Sequence, residues 1–72
     1  MSNETKFLLD TLTKNLILKV VEYLECPLKE AMDIVYNSQL YEKIIDTDTG
    51  LYFQSAGYNF ELLKKEMLTG KL

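Results

Sequence analysis

Three sets of residues in this chain have the types that could do chemistry. They are the turn Asp46-x-Asp48-x-Gly50, the lone Cys26, and the acids spread along its length. A calcium-binding EF-hand loop needs Gly at its sixth position and an acid at its twelfth. Counted from Asp46, the glycine is fifth and the twelfth position is Gly57, so the pattern fails twice. Paired aspartates of this kind also serve phosphatases, but there they sit at the end of a strand in a sheet larger than this chain can build. Cys26 stands just before Pro27, at an expected helix start, where a thiol pKa can be lowered. It has no His partner anywhere in the chain, which a thiol nucleophile would ordinarily use as its base. We therefore read it as a half-buried residue at a helix junction. The acids recur at helical spacing along polar faces and do not pair for general acid–base work. No catalytic, cofactor-binding or metal-ligating set emerges, and the expectation is that the protein is not an enzyme.

Composition narrows the remaining classes. The chain has 72 residues, 47% of them hydrophobic, with three Gly and one Pro. That is the make-up of a packed globule and of one domain, spanning residues 1–72. Domains of this size bury only about 60% of their unfolded surface, and many gain stability by oligomerising. A homodimer is thus a natural expectation. All eight basic residues are Lys, set against eleven acids for a net charge of −3. Nucleic-acid readers depend on Arg forks and clustered positive charge, so direct nucleic-acid binding is disfavoured. A single cysteine cannot form an intramolecular disulfide, which suits a reducing, cytoplasmic setting. The N-terminus shows no signal-peptide pattern, and the apolar run from Leu16 to Leu24 is interrupted by Lys19 and Glu22. It falls short of the ~20 apolar residues of a membrane span.

The elements that must position any site are helices. Leu9, Leu12, Leu16, Val20 and Tyr23, widened by Ile17 and Leu24, predict a helix over 3–25 with Ser2 or Asn3 as N-cap. Lys6, Asp10 and Lys14 are spaced for weak ion pairs on its polar side. Cys26-Pro27 ends it and opens a second helix to Tyr36, with Leu28, Ala31, Met32, Val35 and Tyr36 as its apolar face. After Asn37, Ser38 caps a third helix, Gln39 to Ile45, carrying Leu40, Tyr41, Ile44 and Ile45. Ser55 caps a fourth, Ala56 to Thr69, with Ala56, Phe60, Leu63 and Met67 on one face and Gly70 as its stop. The expected fold is all-α: a small four-helix domain whose long N-terminal helix packs on three shorter ones.

Two features stand outside this scheme. Phe7 and Leu18 fall on the polar side of the first helix, where they are either partly exposed or covered by the last helix, or else form a second contact surface. The connector Thr49–Tyr58 carries Leu51, Tyr52, Phe53 and Tyr58, although a connector is ordinarily polar. Leu51-Tyr52-Phe53-Gln54-Ser55 is similar to a viral-protease cleavage site, but Thr49 stands where that site has an acid, and an amphipathic helix follows. The expectation is a plug. Leu51 and Phe53 are buried and anchor the last helix, while at least one of Tyr52 and Tyr58 stays accessible. Phe7, Leu18, Tyr52 and Tyr58 are then the candidate interaction surface. Whether the connector's rings serve core or interface stays open.

The second half, about residues 27 to 68, resembles a group of short bacterial helical proteins of unknown function. The likeness rests on Tyr36-Asn37-Ser38, Tyr41-Glu42-Lys43, Asp46, Thr49 to Ser55, and Tyr58. Some members of that group are encoded beside predicted toxin-like ADP-ribosyltransferases. The resemblance implies a protein-binding, accessory or antitoxin-like role and no catalytic residue. Some relatives have His where Tyr52 stands here, and its absence weighs against a chemical role for that position in this chain. The function expected is thus a protein–protein interaction module, with a protein partner or a second copy as its ligand. The alternative is a helix-turn-helix-like DNA-binding regulator using the second and third helices.

Overall fold

The computed structural model describes residues 3–70. Among them are four α-helices and no strand: α1 Asn3–Leu24, α2 Leu28–Tyr36, α3 Gln39–Ile45 and α4 Ala56–Thr69. Two 3₁₀ turns, Thr47–Thr49 and Leu51–Phe53, link α3 to α4. The long α1 packs on α2 and α4, and α3 closes the remaining side against α4. An N-cap at Ser2 lies outside the described residues.

Each boundary has a local cause. α1 stops at Leu24 because Glu25 takes a left-handed conformation, φ +51°, and Cys26 precedes a proline, which disfavours helical backbone. Pro27 is extended and caps α2, its carbonyl accepting from Ala31 N at 3.1 Å. The Asn37 side chain closes α2 by donating to Asp33 O at 2.8 Å. Ser38 then works twice: its hydroxyl donates to Val35 O at 2.6 Å and accepts from Tyr41 N at 3.0 Å. Ser55 caps α4 by accepting from Tyr58 N, and Gly70 ends that helix at φ +80°.

The core joins Leu9, Leu12, Leu16, Ile17 and Val20 of α1 to Ala31 and Val35 of α2, Leu40 and Ile44 of α3, and Leu63 of α4. Several residues expected on core faces are displaced from it. Tyr23 and Leu24 are exposed because they lie at the far end of α1. Tyr23 meets α4 through an edge-on contact with Phe60, centroids 5.5 Å apart, with the Lys64 ammonium beside both rings. On α4 the buried line runs through Asn59 and Leu63, leaving Phe60 half-buried and Met67 exposed. The expected pairing of Lys6, Asp10 and Lys14 does not form; the ion pair seen among the described residues is Lys64–Glu61 at 2.9 Å.

The connector corrects one expectation. Leu51 is half-buried against the core, as is Tyr52, but Phe53 is 69% exposed. Burying both Leu51 and Phe53 would require extended backbone, with its period of two. The backbone here is a 3₁₀ turn with a period of three. It sends the three side chains in three directions, and only two can face inward. Leu51 is tied to α4 through its carbonyl: Leu51 O accepts from Asn59 Nδ2 at 3.1 Å.

Candidate interaction surface

The outer side of α1 carries Phe7, Asp10, Lys14 and Leu18. At 3.6 residues per turn, Phe7, Lys14 and Leu18 fall within roughly 40° of arc, facing away from the core. Phe7 is 68% exposed and Leu18 46%. The last helix does not cover them, because α4 lies against the other side of α1, where the buried Leu63 joins the core. Beside this stripe runs α2, whose apolar residues form two rows. Ala31 and Val35 are buried against α1, while Leu28, Met32 and Tyr36, spaced four residues apart, are exposed.

Between the two helices lies a groove of about 400 Å³. Thr13, Ile17 and Leu18 of α1 face Leu28, Met32 and Tyr36 of α2 across it, with Tyr41 also lining it and Asp10 and Lys14 on its rim. Tyr36 and Tyr41 meet edge-on, 5.0 Å between centroids at 81°. Burial, and then the neighbouring Tyr36 and Asp10, raise the Tyr41 hydroxyl above its usual pKa. The groove is thus apolar along its walls and weakly polar at the Asp10 end. Apolar surface of this kind, rimmed by charges, is what helix-in-groove recognition uses.

A second, shallower groove of about 230 Å³ lies on the opposite flank of α1, between Leu8, Thr11, Leu12 and Asn15 and the connector residues Tyr52 to Ala56. Tyr52 and Phe53 stack at 4.3 Å along it. The four candidate residues therefore do not share one surface. Leu18 lines the first groove and Tyr52 the second. Phe7 extends the α1 stripe, and Tyr58, 51% exposed on the first turn of α4, lines neither groove. Sequence reasoning missed Leu28, Met32 and Tyr36 by placing them in the core. The signal was present in the width of the α2 apolar face, which holds five apolar positions where one packed neighbour uses two.

The helix pair α2–α3 has another occupied feature. Glu66 of α4 reaches the start of α3, accepting from Gln39 N at 2.8 Å and Leu40 N at 3.0 Å. Together with the Ser38 cap, this satisfies the first-turn amides of α3 internally. Among the described residues no three His, Cys, Asp or Glu side chains converge as a metal site, and no helix is long and apolar enough to cross a membrane. No family model, curated protein or solved structure matches this chain.

Proposed function

We propose that this chain is a protein–protein interaction module that binds through the outer face of α1 and α2. The observation that carries this reading is the row of exposed Leu28, Met32 and Tyr36 set beside Phe7 and Leu18, with a groove between the helices. Leaving those side chains in water costs hydrophobic free energy that a partner would recover, at about 25 cal/mol per Å² of apolar area covered. The accessory or antitoxin-like form of the role, in a bacterial cytoplasm, draws on the resemblance of residues 27 to 68 and on the lone Cys26. The DNA-binding alternative draws no support from α3, whose leading amides already hold the Glu66 carboxylate.

The test is affinity purification from the native host with the wild-type chain and with Leu28→Glu and Met32→Glu variants, whose folding is checked by circular dichroism. A partner held by the wild type and lost by folded variants supports the reading. Equal capture by all three contradicts it.

A further inference from the structure

We propose that the partner seated on this face is a second copy of the same chain, related by a twofold axis that crosses α1 beside Leu12. This rests on the interaction reading above and names its ligand. Four residues on the outer side of α1 are spaced to pair with a copy of themselves. Phe7 and Leu18 are apolar and exposed; Asp10 and Lys14 between them are exposed, opposite in charge, and form no ion pair with each other. The midpoint of Phe7 and Leu18 and the midpoint of Asp10 and Lys14 lie within about 1 Å of each other along the helix axis.

A pattern with one shared midpoint is complementary to itself when turned end for end. In the antiparallel pair, Phe7 of each copy meets Leu18 of the other, and Asp10 of each meets Lys14 of the other. Every contact occurs twice, as an isologous interface requires. Phe7 arrives beside Leu18, which with Leu28 and Met32 lines the groove, so each copy supplies both an aromatic knob and the apolar slot that receives it. A stable interface takes roughly 800 Å² from each partner, about one-sixth of the 4877 Å² surface of this chain, so the seam must reach past the α1 stripe onto the α2 row.

The charges give a test that a dimer formed elsewhere would not pass. Asp10→Lys and Lys14→Asp each place like charges opposite each other on both sides of the twofold axis. Each variant alone is expected to dissociate on the order of tenfold or more readily than the wild type. In an equimolar mixture, the two lysines of one chain face the two aspartates of the other, so the mixture is expected to sediment as a heterodimer. Both positions are exposed, and unchanged circular dichroism separates dissociation from unfolding. A dimeric wild type whose variants stay dimeric alone overturns this seam while leaving an interaction role intact. So does a mixture that stays monomeric. A wild type that is monomeric at hundreds of micromolar overturns the second copy as partner; capture of a different protein that is lost on Leu28→Glu would then keep the interaction reading, and no such capture would end both.

Discussion

The Asn59 amide, with no solvent exposure, ties the connector to α4 by donating to Leu51 O and Ser55 O, each at 3.1 Å. Both carbonyls also hold a backbone donor, Gln54 N and Asn59 N. Asn59→Ala therefore leaves no carbonyl wholly unsatisfied, but it loses two buried bonds and opens a small void. The same change removes Asn59 Oδ1, which is buried with no hydrogen-bond partner, so the net cost should be about 1 kcal/mol, read as a lower urea midpoint; an unchanged midpoint would show that the connector holds its place without this residue. Tyr41 makes a pH prediction. Burial, then Tyr36 and Asp10, raise its pKa from the ordinary 10.0, so the folded state holds the phenolic proton more tightly than the unfolded one. The stability this brings is complete below pH 10.0 and is lost as pH rises from there through the folded pKa. Tyr41→Phe should flatten the alkaline fall in stability relative to the wild type. Identical slopes would place Tyr41 in an unperturbed setting. Asn59 was not legible in the sequence, since Asn within a helix reads as a solvated position until the carbonyls it serves are known.

The elements themselves were written locally. Ser38, Ser55 and Gly70 mark helix ends by side-chain and backbone chemistry that acts within four residues. The apolar spacing on α1 and α3 selects the buried Leu16, Val20, Leu40 and Ile44 directly. The cap supplied to α3 by Glu66 was not legible, because 26 residues separate Glu66 from Leu40. A seven-residue helix is too short to stand alone, so this contact from α4 carries weight. Glu66→Ala should lower stability by about 1–2 kcal/mol, and Glu66→Gln, which keeps an acceptor, by less. The comparison is made by thermal unfolding followed in the far ultraviolet. Equal melting points for all three chains would mean that Ser38 suffices as the cap. The second 3₁₀ turn escaped prediction for a related reason: the run Leu51-Tyr52-Phe53 is apolar throughout and so carries no period from which its backbone could be read.

At the scale of the whole molecule, the fold leaves a row of apolar side chains uncovered along one side. Three short helices cannot cover a 22-residue helix on all sides, and α2 is apolar on more of its surface than α1 alone can bury. The all-α architecture followed from the sequence because helical period and caps agreed. The candidate surface was only half visible, through Phe7 and Leu18, because the choice of which α2 row faces inward is settled by packing against α1. We propose that a second copy binds on this side. Covalent footprinting of the wild-type chain across a dilution series tests it most directly. With a second copy on this side, Phe7, Leu28 and Met32 lose labelling as concentration rises, while Phe53, exposed on the other flank of α1, is labelled equally throughout. Concentration-independent labelling of Phe7 and Met32, or protection of Phe53 in their place, would contradict it.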